Sequence, residues 1–427
     1  MQKSLIAVAV GGALAVISAA PALAQNATVN VYGTFYGQYG SISNGRAPVT
    51  GDQFKRYDHF QNPGSEIGFR GEEKLGGGLS AWFQCNSSID YRGSTNASSS
   101  NSQAGSTWCT RNSALGMKGG FGNIFYGNWT TPFSRISVAG NTGSDETGIW
   151  GNSHLLTGTS TTNGIQSPSQ AAAVSNLCPS VYRRRQNNLL TYETPNFSGF
   201  TAMGAVTSRN YASAATSAQL KTRLWSIGGQ YANGPLYLGV AYEKHSDFYT
   251  ITNLPGVAAG LVGGDDRAWT MSASYSFSNN LKVGGVYHDI KSSASAPTVG
   301  AVGGDTKIKT WHIGIDWKIS GPHGIRAGYS RAGDVQGAFI VSPITVASPT
   351  GFTGTAMNTR PGAGPNTGAD MWQIRYVHEL SKRTELQLGY SRTNNRSAGT
   401  YETGGATSTQ YAGADSSAIG ASMRHSF

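Results

Sequence analysis

The chain has 427 residues, 38% of them hydrophobic and only 13% charged, with 58 Gly, 9 Trp, 20 Tyr, 15 Phe and a formal net charge of +10. A soluble protein of this length typically carries about 25% charged residues and divides into domains, yet the composition is sparse in charge and no linker or change of style interrupts it. The basic balance admits nucleic acid in principle, but for an exported chain anionic solutes or lipopolysaccharide are the natural partners, and no nucleic acid is expected.

Residues 1–24 read as a cleaved secretory signal. Lys3 supplies the positive start, Leu5 to Ala20 the apolar stretch around Gly11-Gly12, and Ala22-Leu23-Ala24 the cleavage site before Gln25. The mature domain is therefore 25–427. The apolar stretch is too short and too rich in small residues to favour a spanning helix, and no later stretch approaches 18 or so uninterrupted apolar residues. If the mature chain crosses a membrane, it does so as strands.

Sixteen strands are predicted, at 28–39, 64–71, 79–90, 107–118, 122–130, 183–195, 199–211, 222–232, 235–247, 267–278, 281–292, 306–319, 324–334, 369–380, 384–395 and 415–427. Their alternation carries the assignment. In the twelfth, Trp311, Ile313, Ile315, Trp317 and Ile319 alternate with Thr310, His312, Gly314, Asp316 and Lys318, a lipid-facing row against a water-facing one. In the tenth, Trp269, Met271, Ala273, Tyr275 and Phe277 alternate with Thr270, Ser272, Ser274, Ser276 and Ser278. Short joints such as Gly76-Gly77-Gly78, Asn233-Gly234 and Gly321-Pro322-His323-Gly324 alternate with long polar connections. An even strand count puts both termini and the short turns on the periplasmic side.

The longest connection, from about Thr131 to Tyr182, needs a task, and sixteen strands enclose a lumen wide enough for an inward-folded loop to narrow it. Cys85 and Cys109 lie symmetrically about a hairpin centred near Ala97 and are candidates for a disulfide; three unpaired thiols and a Cys109–Cys178 bridge are the alternatives. No cysteine or histidine spacing implies a metal or cofactor. At the end, Ile419, Ala421, Met423, His425 and Phe427 share one face against Gly420, Ser422, Arg424 and Ser426, as in the closing strand of an outer-membrane barrel.

Ser65-Glu66-Ile67-Gly68-Phe69-Arg70-Gly71-Glu72-Glu73-Lys74-Leu75-Gly76-Gly77-Gly78-Leu79 resembles the trimeric general-diffusion porins of Gram-negative outer membranes, especially their β-proteobacterial branch. So do Val31-Tyr32-Gly33, the run from Gly119 to Gly127 with Thr131-Pro132-Phe133, the run from Leu190 to Phe197, and Leu380-Ser381-Lys382-Arg383-Thr384. The resemblance implies a sixteen-stranded antiparallel transmembrane β-barrel, a homotrimer, a second loop latching onto a neighbouring subunit, and a third loop folded into the lumen. It also implies that the terminal Phe427 is read as an assembly signal.

In such porins, arginines of the second, fourth and sixth strands face carboxylates of the third loop. The resemblance carries this over to Arg111 and Arg185, with Arg183 and Arg184 leaving the register open. It fails at Glu66, which stands where the family has its second-strand arginine; Arg70, four residues on, shares its face. Asp145 and Glu146 are the expected acidic side, and Arg135 a further cation. The reading is a water-filled channel for ions and small hydrophilic solutes, preferring anions. A substrate-specific anion channel and a non-conducting adhesin or structural barrel are the alternatives. No G-x-S-x-G or H-E-x-x-H occurs, and the eight histidines are scattered singly, so no enzyme is expected.

Overall fold

The computed structural model describes residues 28–45, 56–91, 108–157, 182–207, 210–212, 220–246, 265–277, 280–294, 304–337, 364–403 and 412–427. The expected signal and Cys178 lie outside them. Nineteen strand segments among the described residues form one antiparallel sheet. They merge into sixteen staves: β1 (Thr28–Ser43), β2 (Tyr57–Gln61 and Glu66–Gly76), β3 (Leu79–Ser88), β4 (Ser113–Gly119), β5 (Gly122–Thr130), β6 (Arg185–Glu193), β7 (Phe200–Thr207 and Asn210–Ala212), β8 (Leu220–Asn233), β9 (Leu236–Ser246), β10 (Asp265–Phe277), β11 (Leu281–Ala294), β12 (Gly304–Ser320), β13 (His323–Ala332 and Gln336–Gly337), β14 (Ala369–Ser381), β15 (Thr384–Asn395) and β16 (Ser416–Ser426).

The barrel closes where β16 pairs with β1, from Thr34↔Ser426 to Ser43↔Ser417. Closure leaves no open sheet edge, which a hydrocarbon environment could not hydrate. The seam is finished by Phe427, whose N–H donates to Gly33 O at 3.1 Å and whose carbonyl accepts from Gly33 N at 3.3 Å. Its ring centroid lies 6.1 Å from that of Phe35. A Cβ on Gly33 would sit 2.6 Å from the Phe427 ring, so only glycine lets the ring lie there. Deleting Phe427 removes both backbone bonds and the ring. The expected result is severalfold less heat-modifiable barrel in the outer membrane, read on unheated gels; unchanged levels would count against this role.

On β10 the outward residues Trp269, Met271, Tyr275 and Phe277 are exposed while Thr270, Ser272 and Ser274 are buried. The same alternation governs β12. One expectation needs correction: the inward faces of these strands do not meet water at mid-height. Thr270, Thr310 and His312 are at most 2% exposed because the third loop lies on them.

Several strand boundaries also differ from the sequence reading, three of them beside the constriction. β2 is broken at residues 62–65, where Ser65 N donates to Asn62 Oδ1 and Asn62 Nδ2 donates to Ile89 O. β4 starts at Ser113 rather than 107, because Cys109 takes a left-handed φ of 59° that a continuous strand does not accept. β6 starts at Arg185 rather than 183. Cys109 is disulfide-bonded to Cys85 of β3, with the two Cα atoms 4.7 Å apart.

Candidate pore constriction

The third loop enters the lumen through a capped helix, α1 (Pro132–Ala139). Thr131 Oγ1 accepts from Ser134 N at 3.2 Å and Pro132 opens the helix with its φ already set. Phe133 and Ile136 are fully buried against the wall. Polar bonds fix the helix there: Ser226 Oγ accepts from Phe133 N at 3.1 Å, and Ser272 Oγ donates to Ile136 O at 2.8 Å.

Two wall histidines then act as clamps, each with a tautomer dictated by its partners. His288 Nδ1 lies 2.8 Å from Leu156 O, so it carries the proton, and Nε2 accepts from Ser137 Oγ at 2.8 Å. His312 donates from Nε2 to Thr142 O at 2.8 Å and accepts at Nδ1 from Ser330 Oγ at 2.9 Å. Leu156 closes the second short helix, α2 (Ser153–Leu156). The loop backbone touches the wall between them: a Cβ on Gly314 would lie 2.1 Å from Thr142 O, and Gly143, at φ +76°, would place one 2.2 Å from Ala327 O.

Asp145 is the tip anchor. Its carboxylate accepts from Arg375 Nη2 at 2.8 Å and from Tyr36 OH at 2.6 Å, tying the loop to β14 and β1. The Arg375 guanidinium also stacks over the Trp150 ring at 5.2 Å. Ile149 adds bonds to Gln38 and Ser391. Asp145 therefore does not face Arg111 and Arg185, which corrects its assignment to the acidic side of the eyelet; its neighbour Glu146 turns the other way and pairs with Arg183.

The opposite wall is built where β2, β4 and β6 approach. Glu66 forms an ion pair with Arg111 Nε at 2.5 Å and accepts from Asn86 Nδ2 at 3.2 Å. Arg111 Nη1 reaches Ser88 Oγ at 3.4 Å. Arg185 Nε donates to a neutral group, Asn112 Oδ1, at 3.0 Å. Arg70, exposed and four residues from Glu66, lies over the Tyr32 ring at 5.2 Å and makes no ion pair among the described residues.

Two other expected cations are paired with carboxylates. The Arg183 side chain is fully buried and neutralised by Glu146, and Arg135 is paired with Glu193 of β6. Sequence reasoning also missed the carboxylates that hold the far wall, because their partners lie on strands distant in sequence. Glu385 binds Arg326 through two bonds of 3.1 Å, with Asp316 at 3.2 Å from the same guanidinium. The inward parity of Glu385 with Gln387 and Ser391 was the only available signal.

Two loop groups give the docking a pH dependence. Burial depresses the His154 pKa to about 4, against a weaker opposing bond from the Glu402 backbone. Burial alone would raise the Asp145 carboxyl, but Arg375 outweighs it and holds the pKa below the ordinary 3.8. A released loop takes up a proton on His154 below pH 6.5 while the docked one does not, so docking weakens as pH falls from about 6.5 to about 4, by about 1–3 kcal/mol after allowing for the ring's partial exposure. Below 3.8 the Asp145 contribution is lost as well. Single-channel noise and loop proteolysis should therefore rise between pH 7 and pH 4, and His154→Gln should flatten that rise.

The Gram-negative porin family matches residues 7–398. The chain is 26% identical over 406 residues to outer membrane porin protein 32 of Delftia acidovorans, covering 94% of this chain and 92% of that one. Among solved structures, an anion-selective porin from Comamonas acidovorans superposes with a TM-score of 0.66 at 21% identity, covering 94% of this chain and all of that one. The trimer form of OmpT from Vibrio cholerae superposes with a TM-score of 0.57 at 12% identity, again over 94% of this chain and all of that one.

Proposed function

We propose, from the premise that this chain belongs to the Gram-negative porin family, that its channel prefers anions and works as a homotrimer. The barrel is an outer-membrane channel for passive diffusion of ions and small hydrophilic solutes, with both termini periplasmic. The observation that carries the preference is the wall at the loop: three guanidinium groups, Arg70, Arg111 and Arg185, stand with one wall carboxylate, Glu66. Glu66 cancels part of the field of Arg111 and holds it rigid, so Arg70 and Arg185 supplement a field that Arg111 supplies only in part. Glu146 is the carboxylate of the loop opposite, and Phe427 serves as the assembly signal. Trimerisation is supported by the outward aromatic and aliphatic face and by the trimeric form of OmpT.

The test is purified protein in planar bilayers under a salt gradient. Expected are a steady conductance and a reversal potential of anion-selective sign, with unheated protein migrating as a trimer. A cation-selective potential overturns the preference, and a silent bilayer favours a structural barrel. Block by one small organic anion at low concentration would instead mark a substrate-specific channel.

A further inference from the structure

We infer that His323 and His378, with the Tyr376 hydroxyl between them, form a site for a divalent transition metal, Cu²⁺ above all, on the outward wall at the periplasmic rim. This rests on the outer-membrane orientation stated above.

Strand register brings the two imidazoles together. His323 opens β13 just after the Gly321-Pro322 joint and stands directly opposite His378 of β14. The bond from Glu379 N to Pro322 O, 2.8 Å long, brackets that pair on one side. In an antiparallel ladder this pattern marks a non-hydrogen-bonded pair, the kind whose side chains stand closest. Parity turns both rings outward. On β14, Trp372, Ile374 and Tyr376 are exposed while Gln373, Arg375 and Val377 are buried inside, and His378 follows Tyr376 by two positions. His323 is itself exposed, beside a periplasmic turn where water and ions have access.

Three donor atoms converge there. The Tyr376 hydroxyl lies 2.5 Å from Nδ1 of His323 and 3.4 Å from Nδ1 of His378. Donors that share one ion at about 2.0–2.1 Å are roughly 2.9–3.4 Å apart, so both separations are within about 0.5 Å of what a shared ion requires. The ring positions agree. An ion at that distance lies about 3.2 Å from each ring centroid, so two imidazoles that meet it at roughly 90–110° have centroids roughly 4.5–5.2 Å apart. The centroids of His323 and His378 are 5.0 Å apart.

An interfacial girdle accounts for a tyrosine at this height, but it does not call for two imidazoles directed at the tyrosine's oxygen. Among the described residues no three His, Cys, Asp or Glu side chains gather as a metal site, and here the phenol oxygen completes the set. Two imidazole nitrogens suit Cu²⁺, Ni²⁺ and Zn²⁺, and the order of intrinsic affinity puts Cu²⁺ first. The ion would also join two hairpins. β12–β13 and β14–β15 each have their own periplasmic turn, whereas β13 and β14 are connected in sequence at the opposite end. A metal on the pair therefore ties together strand ends that no turn holds.

The experiment uses the untagged full-length protein in detergent, titrated with Cu²⁺, with calorimetry for affinity and electron paramagnetic resonance for the ligands. Expected is a single Cu²⁺ per chain carrying two imidazole nitrogens, with weaker binding of Ni²⁺ and Zn²⁺. His323→Gln and His378→Gln should each bind Cu²⁺ at least about tenfold more weakly and lose one nitrogen from the spectrum. Tyr376→Phe should keep both nitrogens and bind severalfold more weakly. His425→Gln, which changes a histidine of the same rim bonded to Thr384, should bind as wild type does. Cu²⁺ should also raise the unfolding temperature of wild type but not of His323→Gln/His378→Gln. Wild-type affinity in any of the three site variants, a spectrum with fewer than two nitrogens, an equal loss in His425→Gln, or no metal-dependent stabilisation of wild type would each overturn the inference. Heat-modifiable migration of each variant verifies folding. Conductance of the same preparations is read separately, so failure of metal binding in a conducting channel is distinct from failure of the channel reading.

Discussion

Replacing Arg111 and Arg185 together by Ser is expected to move the reversal potential from the anion-selective side toward cations. The double change leaves Glu66 without its 2.5 Å partner and removes the cation held on Asn112, so Arg70 alone opposes Glu66 while Glu146 stays paired with Arg183. Two unit charges ~8 Å apart interact by only ~0.5 kcal/mol in bulk water but by ~2 kcal/mol at an effective dielectric near 20. The effect is therefore large only where the loop thins the water column, and charges at the mouth are screened within about 8 Å at physiological salt. Glu66→Arg should shift the potential in the opposite direction by adding a fourth wall cation and freeing Arg111. As a control, Arg392→Ser/Arg396→Ser should have a smaller effect, since both residues pair with acids near the outer rim, Asp415 and Asp334. Selectivity that survives the first variant and disappears in the control would place the filter at the mouth.

Asp145→Asn is expected to free the third loop. Arg375 is 2% exposed at its side chain and has Asp145 as its carboxylate partner, so the substitution leaves a buried guanidinium uncompensated. Breaking a buried pair from one side typically costs about 3–5 kcal/mol. The predicted outcome is a larger, noisier single-channel conductance and a lower temperature for dissociation of the unheated species. Asp145→Leu/Arg375→Met removes both charges and should recover much of the stability, because no charge is then stranded. Wild-type noise and stability in Asp145→Asn would show that the histidine clamps and the apolar contacts of Phe133 and Ile136 hold the loop without this pair.

The sequence by itself determined the barrel. Period-two alternation is a local property, legible in runs such as Trp269 to Phe277, and turn chemistry at Gly76-Gly77-Gly78 and Asn233-Gly234 is equally local. These features settled the strand number, the side of the termini and the existence of a long loop between β5 and β6. The family motifs directed attention to Arg111, Arg185 and the anomalous Glu66, which the structure brings together.

Only the tertiary structure decided what each inward residue meets. Asp145 and Glu146 are adjacent in sequence, yet one anchors on Arg375 and the other pairs with Arg183 near the basic wall. His312 and Gly314 read as water-facing and became, together with His288, the seat of the loop, because an inward side chain can face water or a docked segment with the same periodicity. The pairing of His323 with His378 is equally invisible along the chain, since the two lie on separate strands and meet only through their register. Alternation tells a residue which side of the wall it occupies. Its neighbours there depend on strand register and loop path, which contacts between distant parts of the chain determine.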